Sequence, residues 1–366
     1  MNQTTEIRDI LDRLNEEQIK PVLTTEGPVL VLAGAGSGKT RVLTSRIAYL
    51  IAEKDVPPEA ILAITFTNKA ANEMKERIGM WVCTIHSMCV RILRMYAAEA
   101  GLTQNFSIYS ETERANIIKK SFQECDFDDE KLLKNVKWHI ANAKMLGLSP
   151  AEYAEENAKE REIDDVTKVY ARYQAHLREN NALDFDDLLN EARQLLKRNE
   201  EARGYLGGRF RYILVDEFQD TNAVQFEIVK LLASVHGNLF VVGDDDQSIY
   251  GWRGAKIENI LHFEKAFPGA KTFKLERNYR STKSILKLAN TVIHFNGNRK
   301  DKTLWTENGD GEKPQVFEAE EESGEARYIA HTIAGLIARG YKYSGDRAGR
   351  GALYGAHHFR SDEQGL

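Results

Sequence analysis

Val29-Leu30-Val31-Leu32-Ala33-Gly34-Ala35-Gly36-Ser37-Gly38-Lys39-Thr40 decides how this chain is read. An apolar run leads into a glycine-rich turn, then Lys-Thr, then a helical pattern from Arg41. That order predicts a buried strand feeding a helix through a phosphate-binding P-loop. Glycines open backbone conformations closed to other residues and bring N–H groups against phosphate oxygens. The following helix offers its positive end to the same anion. In this reading Gly34, Ala35, Gly36, Ser37 and Gly38 cradle the phosphates. Lys39 neutralises the β- and γ-phosphates, and the Thr40 hydroxyl holds Mg²⁺. Ala33 stands where the strict pattern has its first glycine, a place a small residue with negative φ can take. The plain alternative is an ordinary glycine-rich turn, and strand, Gly38-Lys39-Thr40 and helix in sequence weigh against it.

Bulk properties bound the rest. At 366 residues the length suggests two or three domains with ample core. No apolar run is long enough to span a bilayer. The opening Asn2-Gln3-Thr4-Thr5-Glu6 is too polar for a secretory signal, so a cytoplasmic location is expected. Cys83, Cys89 and Cys125 suit a reducing compartment, and buried thiols are expected because Cys83 and Cys89 lack partners at zinc spacing. A net charge of −5 argues against a basic coat. Any nucleic acid must then bind in a local groove, helped by stacking.

Upstream of the P-loop, Ile7 to Leu14 reads as an amphipathic opening and Asn15 as a helix N-cap. Gln18, just before the P-loop strand, can read an adenine through its two-sided amide, although most such glutamines are surface residues. Downstream, Ile61 to Thr65 reads as a second buried strand, and Phe66-Thr67-Asn68-Lys69-Ala70 as the opening of a helix ending near Ile78. An aromatic, a hydroxyl, an amide and a lysine at a strand's carboxyl end suit a loop that grips a nucleic-acid backbone, and equally an ordinary helix start. Val82 to Ser87 reads as a third short strand ending in Thr84, His86 and Ser87, where a lone histidine is more often structural than catalytic.

From Tyr96 to Arg203 helical spacing replaces strand-like runs, which reads as a helical domain inserted between strands of one sheet. Val166, Val169, Tyr170, Tyr173 and Leu177 share one helical face, and Leu188, Leu189, Ala192, Leu195 and Leu196 another. Asp126 to Glu130 reads as a solvated turn or helix start. Asp184-Phe185-Asp186-Asp187 reads as a capped helix start rather than a metal cluster.

The sheet resumes at Tyr212 to Val215, with Asp216-Glu217-Phe218-Gln219-Asp220 at the strand's carboxyl end. A strand-end aspartate, Asp216, can hold the Mg²⁺ that a P-loop needs. Glu217 is then set to orient and deprotonate the attacking water. The strand Asn238 to Gly243 is followed by Asp244 to Ala255, where Gln247 can sense a γ-phosphate while Trp252 stacks on a base. A last strand, Thr272 to Leu275, leads into Glu276-Arg277-Asn278-Tyr279-Arg280-Ser281 and an amphipathic helix; an arginine there can reach into a nucleotide cleft.

In this order the stretches resemble the UvrD/PcrA/Rep-type DNA helicases of superfamily 1A. The resemblance runs from Leu14 to Tyr343 and rests on eight stretches. They are Leu14-Asn15 with Gln18, Ala33 to Thr40, Thr65 to Ala70, Thr84 to Ser87, Leu183 to Leu188, Val215 to Thr221, Gly243 to Ala255, and Asn278 to Ser281. It implies an ATP-driven motor moving 3′ to 5′ on single-stranded DNA or a 3′-tailed duplex, in repair or replication, with repair proteins as partners. It implies adenine contacts from Gln18, Arg41 and Tyr279, and γ-phosphate contacts from Gln247 and Arg280. Phe66, His86, Tyr250, Trp252 and Arg253 are implied to face the DNA strand. The implied fold class is an α/β P-loop NTPase, a RecA-like parallel sheet flanked by helices, with an inserted all-helical subdomain and an incomplete second RecA-like domain. The expected boundaries are 1–95 and 204–276 for the two parts of the first RecA-like domain, 96–203 for the insertion, and 277–343 for the start of the second.

Three departures from that family's pattern stand out. Pro21 is expected to shorten the helix that starts after Asn15. The link from Ile78 to Val82 is several residues tighter than the family has. After Ser344, Gly345, Gly349, Gly351 and Gly355 suit neither helix nor buried strand, and 344–366 is expected to be disordered. The family continues there into most of its second RecA-like domain, so the expectation is a truncated or frameshifted product. An arginine finger is worth roughly 10³–10⁵ in rate, about 4–7 kcal/mol. The chain is therefore expected to bind ATP·Mg²⁺ and single-stranded DNA weakly and to hydrolyse slowly. It is expected to unwind poorly or not at all.

Overall fold

The structure, a computed structural model, describes residues 3–66 and 81–341. The expected helix opening at Thr67-Asn68-Lys69-Ala70, the link through Gly79 and Met80, and the glycine-rich stretch after Ser344 lie outside the described residues. Eight strands are described: β1 Val29–Ala33, β2 Ile61–Thr65, β3 Trp81–Thr84, β4 Ser107–Ile108, β5 Ala182–Leu183, β6 Tyr212–Val215, β7 Leu239–Gly243 and β8 Lys271–Leu275. Six of them form one sheet in the order β3-β2-β6-β7-β1-β8, and each of its pairings is parallel. The P-loop strand sits inside, with Val29 opposite Phe240 on one side and Lys271 on the other.

Both faces of this sheet are covered, which is why its central strands are apolar without interruption. Successive side chains alternate between two cores. Leu30, Leu32, Leu62, Ile64, Ile213, Val215, Leu239 and Val241 pack on one face. Val29, Val31, Ala33, Ile61, Ala63, Leu214, Phe240 and Val242 pack on the other, under the helix Lys39–Glu53. Carboxyl ends of β1, β6 and β7 meet where the strand order reverses, the place where open parallel sheets bind ligands.

Between β3 and β6 the chain is mainly helical. The helices Glu111–Glu124, Glu130–Leu146, Pro150–Glu156 and Ile163–Glu179 build a core of their own, with Phe122, Val136, Ile140, Tyr153, Val166, Tyr170 and Tyr173 inside. The helix Phe185–Arg198 instead sends Leu188, Leu189, Ala192, Leu195 and Leu196 into the sheet's core. Its start is the expected capped one, a capping box between Asp184 and Asp187. Behind that box Lys144 is buried, with Nζ 2.6 Å from Asp184 and 2.8 Å from Asp187.

Two local expectations meet a different geometry. The helix Glu16–Leu23 runs through Pro21 and ends at Leu23. Buried Arg46 donates to the carbonyls of Pro21, Thr24 and Thr25, so the loosened helix end keeps its acceptors satisfied. The third strand stops at Thr84, which becomes the N-cap of the helix Ile85–Met95, so His86 and Ser87 open a helix instead of ending a strand. The Thr84 hydroxyl accepts from the Ser87 N–H, the local bond that makes threonine a helix starter.

The chain divides into two compact units, Met1–Leu275 and Glu276–Leu366. In the second, Arg277 and Trp305 form a parallel bridge, and the helix Lys283–Ile293 buries Leu286. The helix Glu322–Ala338 buries no residue.

Candidate nucleotide site and nucleic-acid interface

The P-loop is shaped by its own hydrogen bonds. Gly34 N–H donates to Leu275 O, and the Gly34 carbonyl accepts from both the N–H and the hydroxyl of Ser37. Gly36 and Gly38 have φ of 67° and 94°, a region that other residues enter only under strain. Gly38 is the N-cap of the helix Lys39–Glu53, and no side chain caps it. A helix start without a side-chain cap, wrapped by a glycine turn, is a fitting anion cradle. Ala35 is half-buried, and Thr40 and Arg41 are exposed on the first turn of that helix.

Gln18 closes the loop from behind. It is 1% exposed. Its Nε2 donates to Ser37 O at 2.8 Å, and its Oε1 accepts from Asn15 N–H in a capping box. Both ends of its amide are thus engaged within the protein.

Lys39 faces β6. Its Nζ lies 3.0 Å from Glu217 Oε2. Glu217 has φ 48°, an uncommon value for a side chain of its size, and its N–H donates to Asp216 Oδ1 at 3.0 Å. This left-handed turn sends two consecutive carboxylates in different directions from one strand end. Asp216 is buried, and burial, with the neighbouring Glu217 charge, pushes its carboxyl up to about 6 against the pull of Lys39. Asp220 is pushed up to about 7, by burial first and Glu217 second. A carboxylate in such surroundings gains most from a hard cation, and the Thr40 hydroxyl with the Asp216 carboxylate is an oxygen donor set suited to Mg²⁺. By chemistry these two oxygen donors match what Mg²⁺ takes.

Gln219 bridges Glu217 and β7, whose following loop starts at Asp244. In that loop Gln247 N–H donates to Asp244 O, and its Nε2 donates to Asp244 Oδ2. The loop then presents aromatic rings. Phe66 stacks on Tyr250 with centroids 5.4 Å apart, and Tyr250 lies 6.4 Å from Trp252. The Arg253 guanidinium sits over Trp252 at 4.4 Å and over Tyr250 at 5.6 Å. Trp252 is 65% exposed. A run of flat, solvent-facing π surfaces beside a cation is the chemistry that holds unstacked bases.

His86 sits apart from that run. It is half-buried, burial lowers its pKa, and it packs edge-on to Phe185 at 6.0 Å. Phe185 is half exposed, and sequence reading treated it only as part of a helix start. The signal that marks it is an aromatic at the first position of a helix whose apolar face lies elsewhere. Tyr279 and Arg280 belong to the second unit. Both are exposed, and Asn278 Oδ1 accepts from the N–H groups of Arg280 and Ser281. Cys83, Cys89 and Cys125 are buried free thiols.

Comparison with known proteins follows the same course. The UvrD/REP helicase N-terminal domain matches residues 14–268, and the UvrD-like helicase C-terminal domain matches residues 273–345. The ATP-dependent DNA helicase PcrA of Staphylococcus aureus strain Mu50 is 50% identical over 344 residues, covering 91% of this chain and 47% of that protein. The protein of the same name from Staphylococcus epidermidis strain RP62A is 48% identical over 344 residues, covering 92% and 47%. The chain thus spans about half the length of the curated relatives it matches. With a matching N-terminal family domain across most of its length and a parallel sheet carrying the P-loop, this chain belongs to the UvrD/REP helicase family.

Proposed function

We propose that this chain is the nucleotide- and DNA-binding part of an ATP-dependent 3′–5′ DNA helicase that acts on single-stranded DNA or 3′-tailed duplex. The observation that carries this is the 3.0 Å ion pair between Lys39 and Glu217 across the carboxyl edge of the sheet. On ATP binding, Lys39 exchanges the Glu217 carboxylate for β- and γ-phosphate oxygens, cradled by Gly34 to Gly38. Glu217 is then free to orient the attacking water and take its proton. Thr40 and Asp216 would hold Mg²⁺, which supplies charge neutralisation at the phosphates. Arg41 and Tyr279 take the adenine end, joined by Gln18 when its amide exchanges Ser37 O and Asn15 N–H for the base, and Gln247 and Arg280 sense the γ-phosphate.

Phe66, Tyr250, Trp252 and Arg253 take the DNA strand by stacking, with His86 and Phe185 flanking it. Residues 1–95 and 204–276 are the first RecA-like domain in two parts, 96–203 the helical accessory region, and 277–343 the start of the second domain. The setting is cytoplasmic DNA repair or replication, alongside repair proteins. Among the described residues no helix is long and apolar enough to cross a membrane.

A second reading is a nucleotide-gated single-strand-binding fragment without motor activity. The chain spans 47% of the length of the PcrA helicases it matches, which favours this reading, because translocation needs two domains closing on ATP. One sample of the chain decides between them, assayed for DNA-stimulated ATP hydrolysis and for strand displacement. Slow hydrolysis without displacement is expected. Displacement at ordinary helicase rates supports the full motor, and failure to bind ATP or single-stranded DNA rejects both.

A further inference from the structure

Gln219 is buried between two loops, and its side chain reaches both. Nε2 donates to Glu217 Oε2 at 2.9 Å and to Asp220 Oδ2 at 3.3 Å. Oε1 accepts from the Asp244 backbone N–H at 2.9 Å. The neighbours settle which end is which: only an NH₂ can face two carboxylates, and only a carbonyl can face an N–H. Gly243 makes room for this seat. A Cβ there would lie 2.8 Å from Gln219 Oε1 and 2.8 Å from Ile260 Cδ1.

Further bonds lace the same two loops together. Lys256 N–H donates to Thr221 O at 3.0 Å, and Asn259 Nδ2 donates to Thr221 O at 2.9 Å. The turn behind Glu217 and the stretch from Asp244 to Asn259 are therefore tied at both ends. That stretch carries Gln247, Tyr250, Trp252 and Arg253. A displacement of Asp244 pulls the carbonyl end of a rigid planar amide, and the opposite end, holding Glu217, moves with it.

We propose that Gln219 is a positioning residue that couples the loop facing single-stranded DNA to Glu217, so that DNA at Trp252 and nucleotide at Lys39 sense each other. This rests on the nucleotide and DNA sites proposed above.

The test measures a coupling, because a merely structural role would change affinities without changing their ratio. In the whole 366-residue chain, the Kd of a non-hydrolysable ATP analogue with Mg²⁺ is measured with and without a saturating thymidine oligonucleotide. In the wild type the two values are expected to differ by about 5–150-fold, the usual span of coupling between sites. Gln219→Met removes all three side-chain hydrogen bonds at similar volume. Gly243→Ala crowds the carbonyl end from outside the site, so the test survives if one variant fails to fold. In each, the ratio is expected to fall towards one while both ligands still bind.

Ratios within about twofold of the wild type in the folded variants overturn the proposal. So does a wild type that binds both ligands with a ratio of one, an outcome that leaves the two binding sites standing. A wild type that binds only one ligand, or neither, overturns the sites and the coupling together.

Discussion

Lys39 Nζ and Glu217 Oε2 lie 3.0 Å apart, joining the P-loop helix to the end of β6. Each is the other's charge partner, and the proposed site gives each separate work when nucleotide is bound. Removing one therefore has a different consequence from removing the other. Lys39→Ala takes away the cation proposed to meet the phosphates. Loss of about 10²–10³-fold in turnover, with weakened nucleotide binding, is expected in an equilibrium-binding and ATPase pair of assays.

Glu217→Gln keeps the size of the side chain and removes its basicity. ATP binding is expected to persist, and single-turnover hydrolysis to fall by about 10²–10⁴-fold. Unchanged hydrolysis rejects Glu217 as the base.

Trp252→Ala removes an exposed ring and no charge. Single-strand binding is expected to weaken by about 1–3 kcal/mol if one base is lost from the stack. The slope of log K against log salt is expected to stay as it is, because no phosphate contact is lost. Arg253→Ala is expected to flatten that slope by about 0.7 if it holds one phosphate. Fluorescence anisotropy over a salt series separates the two.

Gly38→Ala tests the shape of the cradle. At φ 94° a side chain is strained, and its Cβ would meet Gln18 Nε2 at 2.6 Å. Gly27 is the control, with φ 79° and nothing within 4 Å of a Cβ. Gly27→Ala is expected to cost only the backbone strain of about 1–2 kcal/mol in stability. Gly38→Ala is expected to lose nucleotide affinity as well, read by analogue binding beside urea unfolding.

Lys144→Met leaves Asp187 buried without its ammonium and leaves Asp184 only the Arg114 guanidinium as cation, 3.7 Å away. Removing one member of a buried ion pair costs about 3–5 kcal/mol, so urea unfolding at neutral pH is expected to shift by that order. Burial alone would raise Asp184, yet the Lys144 ammonium holds it below the ordinary carboxylate range. In the wild type this group adds stability above pH 4 and loses it as pH falls further. Burial already holds Asp187 above the ordinary range in the wild type, and in the variant Asp184 is expected to rise as well, so the variant's stability is expected to grow as pH falls from 7 towards 4. The gap between the two proteins is expected to narrow over that range, and a constant gap counts against the ion-pair account.

Much of this was legible in the sequence because strands buried on both faces must be apolar throughout. Val29 to Leu32, Ile61 to Ile64 and Leu239 to Val242 announce themselves in this way, and so does the glycine turn. Asp216 and Glu217 stand out by their position after such a run, and the structure brings Glu217 against Lys39. What stayed hidden depends on which distant residues become neighbours. Gln219 meets Asp244 only because β6 and β7 are adjacent and in register. Phe185 meets His86 only because the helices carrying them pack on one core. Lys144 reads as one more surface lysine until Asp184 and Asp187 are brought against it. His86 was assigned to a strand end because a β-branched threonine suits both a strand's last residue and a helix cap.

The position of β1 in the sheet also governs when the protein can first work. Val29 leaves the ribosome more than two hundred residues ahead of its neighbours Phe240 and Lys271. At about 5–20 residues per second, ribosomal synthesis leaves that strand without its flanking partners for roughly 10–50 s. A wholly apolar segment waiting so long is natural prey for chaperones and a seed for aggregation. The sheet edge that carries the P-loop is thus completed long after its signature motif is written.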